Sequence, residues 1–276
     1  MGRVRVQAPG VTARLRATLA YWLLPAPCLE CGTLERPLDR ALGLCPACRG
    51  ALRRLRGSRC RLCLRRLPTA GRTPGPPLCG PCGLRRPGHE GLLAAWSYEP
   101  PLDAVIHALK FGRQPHLGRQ LGLALARETG PHLTGCEVIV PVPLHWRRQL
   151  ARGYNQAAEI AAGLAAATAL AVRPDLVRRR ATRAQATLPL ERRGANLRNA
   201  FAVRRAGAVR GLPCLLVDDV VTSGATLEQA SRALLRAGAS AVLCLAAGRT
   251  PEGRGAGGIG GPPAVLHSEQ GGLGGF

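Results

Sequence analysis

The stretch at residues 215–227, LLVDDVVTSGATL, constrains the fold of this chain more than any other. Leu215, Leu216 and Val217 form an apolar run with no polar alternation, the pattern of a strand covered on both faces in a parallel sheet. Two adjacent carboxylates, Asp218 and Asp219, then close the strand at its carboxyl end, where open α/β sheets collect their ligands. Thr222, Ser223, Gly224, Ala225 and Thr226 make a small hydroxyl-rich turn. Leu227, Ala230, Leu234 and Leu235 follow at helical spacing, and Gly238 supplies a stop. Strand, acid pair, turn and helix in that order predict an α/β domain on a parallel sheet.

Each part has a chemical use. A helix start offers backbone N–H groups with no intrahelical partner, and flanking hydroxyls make it suit a phosphate. Gly224 lets the main chain approach such an anion without a Cβ in between. Carboxylates only accept hydrogen bonds, so Asp218 and Asp219 fit the two hydroxyls of a ribose. The unit therefore describes a sugar 5-phosphate, with the ester in the turn and the diol on the acids. Solvated acids at a strand end are the plainer alternative, but that leaves the ordered strand, turn and helix without a purpose. No G-x-x-x-x-G-K-[ST] occurs, which excludes a nucleotide P-loop. Gly255, Gly257 and Gly260 fit G-x-G-x-x-G, yet no strand precedes them and Pro262-Pro263 bars a following helix, so a dinucleotide site is excluded there too.

Ahead of this domain stand eight cysteines in four C-x-x-C pairs: Cys28 and Cys31, Cys45 and Cys48, Cys60 and Cys63, Cys79 and Cys82. A C-x-x-C turn points two thiolates at one ion, and two such turns complete a tetrahedral Zn²⁺ site. The sequential pairing gives two zinc ribbons, residues 28–48 and 60–82, each with a structural ion. An interleaved pairing of the four knuckles is the competing arrangement. Disulfides fit poorly because nothing marks the chain as secreted, and a redox pair would not recur four times. Cys136, Cys214 and Cys244 fall at or in expected strands and read as small core hydrophobes.

The formal net charge is +23, and codon bias does not choose sign. Such a surplus favours polyanions such as nucleic acid, with a generally basic protein as the alternative. The basic residues are nearly all arginine, and Lys110 is the one lysine, a pattern of GC-rich coding. Aromatics make up 3%, so Leu, Val and Ala must fill the core, and base stacking has few side chains to draw on. No apolar run reaches the length of a membrane span. Residues 17–24 follow two arginines as a signal peptide would, but they are too short and lack a clean cleavage site. A cytoplasmic protein with an amphipathic first helix is the expectation.

In chain order we expect a basic helix in residues 1–24, the double ribbon in 25–88, the α/β domain in 89–249 and a disordered Gly/Pro-rich tail in 250–276. Strands are expected near residues 92–98, 136–140, 199–203 and 241–247, with helices near 102–109, 117–127 and 155–167. The alternation predicts a parallel sheet. Between strand and helix, residues 141–156 read PVPLHWRRQLARGYNQ. Arg152 there is a candidate for binding a pyrophosphate, whose oxygens a guanidinium fork matches. His145 reads as a loop residue rather than a base, and Trp146 as stacking or packing. Residues 178–201 hold seven arginines, one acid and little periodicity, the texture of a lid or of a solvated charged loop. Gln185, Arg192 and Asn196 are its candidate contacts.

Residues 215–226 look like the phosphoribosyl-pyrophosphate (PRPP) motif of type I phosphoribosyltransferases. With PVPLHWRRQLARGYNQA, TRAQATLPLERRGANLRNAF and the cysteine array in the same order, residues 25–249 resemble the ComF family. That resemblance implies a type I phosphoribosyltransferase fold, PRPP and Mg²⁺ binding, and participation with competence proteins in uptake of single-stranded DNA. It puts the phosphate on residues 222–226 and the ribose on Asp218 and Asp219. Ser223 stands where a Thr is frequent and keeps the hydroxyl. Two activities follow as expectations: transfer of the phosphoribosyl group to a nitrogen nucleophile, or DNA binding without catalysis, PRPP being a regulatory or vestigial ligand.

Overall fold

Hydrophobic runs with no polar alternation can only be buried between two layers, and the chain supplies both. In a computed structural model, residues 26–35, 41–68, 77–179 and 200–252 are described. The cysteine-rich part gives β1 (Ala26–Pro27), β2 (Leu34–Glu35), α1 (Pro46–Gly50) and α2 (Gly80–Leu84). The rest gives β3 (Gly91–Ser97), α3 (Leu102–Phe111), α4 (Pro115–Thr129), β4 (Val138–Pro141), α5 (Trp146–Arg152) and α6 (Gln156–Thr168). After these come β5 (Ala171–Val172), β6 (Leu176–Arg178), β7 (Phe201–Val203), β8 (Pro213–Val221), α7 (Ala225–Arg236) and β9 (Ala241–Arg249). Residues 1–24, Gln185, Arg192, Asn196 and residues 253–276 lie outside the described residues.

Five strands form one sheet in the order β3-β9-β8-β4-β5, every pair parallel. Strand side chains alternate between faces, and β8 shows it directly. Leu215 and Val217 pack with Leu109, Leu121 and Ile160 of α3, α4 and α6. Cys214 and Leu216 pack with Leu227, Ala230 and Leu234 of α7 on the other side. Residues 214 to 217 are all 0% exposed, so each apolar side chain there contributes roughly 1.5–3 kcal/mol by burial.

On the first face, α4 crosses α6 through glycines. A Cβ on Gly122 would come within 2.7 Å of Leu164 N and 2.8 Å of Gly163 Cα, and one on Gly118 would strike Glu159. Sequence periodicity had no means of showing that the two backbones touch.

The structure corrects three sequence expectations. Residues 146–152 form a short helix rather than a continuous loop. Its start is fixed by His145, whose Nδ1 accepts from the Arg147 amide at 3.4 Å, and its end by Gly153 at φ +86. The strand expected at residues 199–203 is β7, which pairs antiparallel with β6 in a separate two-stranded sheet and not with the parallel one. Finally, β8 does not stop at the acids. Its ladder with β9 continues to Val221, whereas its ladder with β4 ends at Val217.

The cysteine-rich part covers an edge that would otherwise template aggregation. Arg53 O accepts from Ser97 N at 2.7 Å, Leu55 N donates to Ala95 O at 3.4 Å, and Arg61 O accepts from Leu92 N at 2.9 Å. All three bonds lie along β3, the end strand of the sheet.

Gly122→Ala should destabilise the protein by about 2–3 kcal/mol through forced separation of α4 and α6. Chemical denaturation would read it, and an unchanged midpoint would mean that the helices are not held at this distance.

Candidate functional site

The direction of chain crossover reverses between β4 and β8. From β4 the chain runs through α5 and α6 to β5 on one side, and from β8 through α7 to β9 on the other. Such a switch point leaves a crevice beyond the strands' carboxyl ends. Because β4 parts from β8 after Val217, the next two residues of β8, Asp218 and Asp219, stand at the mouth of that crevice.

Both acids are buried, at 9% and 4% exposure, yet their environments differ. Asp219 forms an ion pair with Nζ of Lys110, which extends from the last turn of α3. Burial alone would raise the Asp219 pKa, but the Lys110 charge and hydrogen bonds from Asp218, Lys110 and Gln156 hold it below the usual carboxylate range. Asp218 goes the other way. Burial first, and the neighbouring Asp219 charge second, push it well above that range. Its Oδ1 accepts the Asp219 amide at 2.9 Å. Lys110 keeps its proton: burial opposes the charge, and Asp219 outweighs burial. The site thus holds one acid whose charge a cation balances, and one whose charge burial and its neighbour disfavour.

The β4 side brings up the rest. Arg152, at the end of α5, donates to Gln156 Oε1 at 2.5 Å and lies over the Phe111 ring at 5.5 Å. Asn155 caps α6, accepting from Ala157 N at 3.1 Å and donating to Val142 O at 3.0 Å. This cap aims Gln156, 6% exposed, at Asp219. Arg178 of β6 faces Asp218 electrostatically. His145 serves as a helix cap; burial and the charges of Arg178, Arg147 and Arg148 push its pKa down, which suits the acceptor role. Trp146 is 60% exposed, so packing does not account for it.

The turn after β8 is built as its sequence requires. Gly224, the cap residue of α7, sits at φ +78 with nothing within 4 Å of where a Cβ would be, and Ser223 Oγ accepts from the Ala225 amide at 3.4 Å. Ser223 is exposed, while Thr222, Ala225 and Thr226 are half-buried. The one acid in the first turn of α7, Glu228, is engaged by the Gly88 amide at 2.7 Å and by Arg232. The start of α7 thus has open space at Gly224 and only the Ser223 hydroxyl on its amides, with the positive end of the helix dipole behind it. The structure brings together Asp218, Asp219, Arg152 and residues 222–226 at one sheet edge. Lys110 and Gln156 complete the constellation, and sequence reasoning passed over both. The signal for Lys110 was its being the one lysine among so many arginines.

The eight knuckle cysteines form two groups: Cys28, Cys31, Cys45 and Cys48, and Cys60, Cys63, Cys79 and Cys82. Within each group the sulfurs all lie within 4.8 Å of one another, which settles the sequential pairing. Sulfurs on a tetrahedral zinc at about 2.3 Å stand roughly 3.8 Å apart. Here Cys31 and Cys45 are 3.8 Å apart, and Cys63 and Cys79 3.5 Å. Thr33 hydrogen bonds pull the Cys31 thiol down to about 6 and backbone amides take Cys60 to about 7 against its burial, while burial pushes Cys63 up to about 11 and raises Cys48 and Cys82 as well. Both groups therefore could hold a zinc ion and fit a double zinc ribbon. The first packs into the main core beside Leu117; the second forms its own small cluster with Leu62.

Residues 150–256 match the family model described as phosphoribosyl transferase domain. The chain is 37% identical over 206 residues to DNA utilization protein YhgH of Salmonella typhimurium, covering 72% of this chain and 87% of that protein. It is 36% identical over 170 residues to the YhgH protein of Escherichia coli, covering 59% and 74%. It is 34% identical over 169 residues to Competence protein F of Haemophilus influenzae, covering 58% and 73%.

Removing each acid should have opposite effects on the ligand-free protein. A raised pKa in the folded state makes Asp218 cost stability as pH rises through that value, so Asp218→Asn should raise the melting temperature at neutral pH and flatten its decline. Asp219→Asn leaves Lys110 without its counter-charge and should destabilise by about 3 kcal/mol. Thermal melts across pH would show both, and equal effects of the two substitutions would refute the assignment of charge.

Proposed function

Since this chain belongs to the ComF/YhgH family, phosphoribosyltransferase-fold proteins with an N-terminal cysteine array, we propose that its sheet edge binds PRPP and transfers the phosphoribosyl group to a nitrogen nucleophile. The observation that carries this reading is the convergence of a hydroxyl-flanked helix start, an open Gly224 and a buried acid pair on one crevice. The 5-phosphate lies on the amides of residues 222–226, and Asp218 and Asp219 accept from the ribose hydroxyls. Asp218 has burial and a like charge, rather than a paired lysine, as the main influences on its pKa, so it is the acid whose charge a divalent cation would relieve. The two acids fit Mg²⁺, which when bound with PRPP supplies positive charge to the departing pyrophosphate.

In the reaction the nucleophile's nitrogen bonds to ribose C1 while the C1–O bond breaks, its electron pair leaving with pyrophosphate. Positive charge develops on the ribose ring, and the ionised Asp219 lies where it can oppose that charge. Arg152 offers a fork to the pyrophosphate oxygens. Gln185, Arg192 and Asn196 are proposed contacts from the stretch between β6 and β7. The acceptor is set by exposed groups at the mouth, Phe111 and Trp146 among them, 65% and 60% exposed.

One observation favours a second activity elsewhere on the molecule. A groove of 1030 Å³ lies between the cysteine-rich part and α4, lined by Arg49, Arg53, Arg54, Arg56, Arg59, Arg66 and Arg127 against only Glu99 and Glu128. Seven cations and two anions leave a surplus of five, which suits the backbone of a single-stranded nucleic acid. The names of the relatives point to DNA, and the groove is the surface here that fits it. It lies apart from Asp218 and Asp219, so the two ligands need not compete.

With PRPP and Mg²⁺ at about a hundred times Kd, the protein should gain roughly 2.7 kcal/mol of stability, and Asp218→Ala with Asp219→Ala should abolish that gain. A wild type whose melting temperature ignores PRPP would end the first reading. Single-stranded DNA should bind with a log–log salt slope of about −3.5 for five phosphates, falling by about 0.7 for each arginine removed from the groove and untouched by the double aspartate substitution. Salt-independent affinity would end the second.

A further inference from the structure

The chain has three tryptophans and three phenylalanines, and it leaves one of each in the open at the mouth of the crevice. Phe111 directly follows Lys110, whose Nζ pairs with Asp219, and Trp146 begins α5. Each ring carries a guanidinium on one face: Arg152 lies 5.5 Å from the Phe111 centroid and Arg147 5.2 Å from that of Trp146. Tyr154 OH donates to Leu109 O, which ties the end of α5 to the end of α3 and puts both rings on one surface. From Trp146 to Arg152 the helix advances roughly 9 Å. Leu150, 78% exposed, lies between.

A site for a free nucleobase would bury most of its ligand, and rings this exposed enclose nothing. Aromatic rings backed by arginine in open solvent suit the bases of a single strand instead, because the strand's backbone supplies the rest of the affinity. The arginine groove ends close to this platform. Helical spacing puts His116, Gln120, Leu123 and Arg127 in one stripe of α4, turned away from the buried Leu117, Leu121 and Leu125. Gln120, Leu123 and Arg127 line the groove, and the exposed His116 carries the stripe one turn further toward the helix start. Leu42 N donates to Gln120 Oε1 at 2.7 Å, which pins the cysteine-rich wall to α4 at that level. The stripe runs roughly 16 Å from Arg127 to His116. Its near end adjoins the turn between α3 and α4, where Phe111 and the exposed Arg113 stand.

We propose that groove and platform form one track for a single-stranded nucleic acid, and that the acceptor of the phosphoribosyl group is a base of that strand, stacked on Phe111 and Trp146. The assignment rests on both readings given under the proposed function. The groove holds the phosphates, and the platform presents a base to the crevice that holds PRPP, so the strand meets PRPP rather than displacing it. An amino nitrogen of the base bonds to ribose C1, the C1–O bond breaks with its electron pair leaving on pyrophosphate, and the amine's proton passes to water.

The test uses the full chain and two strands of equal length, one of deoxyadenylates and one with the same phosphates but abasic sugars. Groove arginines meet phosphates alone, so both strands should show the same salt slope, and Arg127→Ser should weaken both equally. The platform meets bases, so the intact strand should bind about tenfold more tightly than the abasic one. Trp146→Ala should remove most of that difference without changing the abasic strand, and Trp146→Phe should keep it. With PRPP and Mg²⁺, mass spectrometry should find one ribose 5-phosphate added to the intact strand, with one pyrophosphate released, and none added to free adenine. Equal affinity for the two strands, or wild-type discrimination in Trp146→Ala, would overturn the track. Transfer to free adenine alone, or no transfer to the strand by a protein whose melting temperature responds to PRPP, would overturn the acceptor assignment. A wild type that discriminates the strands but ignores PRPP would remove the PRPP reading and that assignment while the track stands. Failure of either strand to bind would remove the groove reading and the track together.

Discussion

Where β4 parts from β8 decides nearly everything else about this molecule. A parallel sheet must satisfy its ladder on both sides of each central strand, and β8 stays paired to β9 through Val221 while losing β4 after Val217. The gap admits polar side chains to a place otherwise walled by the core. Two carboxylates there would repel one another and resist desolvation by several kcal/mol each. The structure treats the two asymmetrically: Lys110 balances Asp219, while burial and the neighbouring charge push the Asp218 pKa up. An arrangement that costs stability when empty is one that a cation and a diol can relieve. The same features that strain the ligand-free site give it binding energy to use.

Much of this was legible in residues 215–227, because each feature there is local. An unbroken apolar run, an acid pair and a glycine at positive φ are all dictated within a few residues of chain, and the structure has them in place. What was not legible depends on distant segments meeting. Lys110 comes from a helix more than a hundred residues earlier, and Gln156 is aimed by an Asn155 cap whose partner, Val142 O, is set by β4. The Gly118, Gly122 and Gly163 contacts require two helices at once, and a propensity reading counts those glycines only as helix weakeners. The α5 helix escaped notice because its seven residues carry no apolar stripe; a histidine cap and a left-handed glycine define it. Assigning β7 to the parallel sheet failed for the same reason, since a three-residue strand does not encode its partner.

The division between lysine and arginine has a physical reading beyond coding bias. A guanidinium fork serves wherever planar oxygens are to be gripped, and arginines accordingly line the groove beside α4. Beside Asp219 the need is different: a compact ammonium that neutralises one carboxylate within a confined crevice. Lys110 satisfies it with its charge on Asp219. In a chain that otherwise chooses arginine, that one exception marks the position where the shape of the cation matters most.

The cysteine-rich part explains why so small a module is attached to this domain at all. Its stretches are too short to bury a core of their own, and four-sulfur sites supply the folding energy that apolar area cannot. Once folded, it covers the exposed edge of β3 with backbone hydrogen bonds and forms one wall of the arginine groove. A module that only capped an edge would not need its positive charge. Its arginines instead line the groove together with Arg127 of α4, so the segment that closes the sheet edge also builds the molecule's cationic wall.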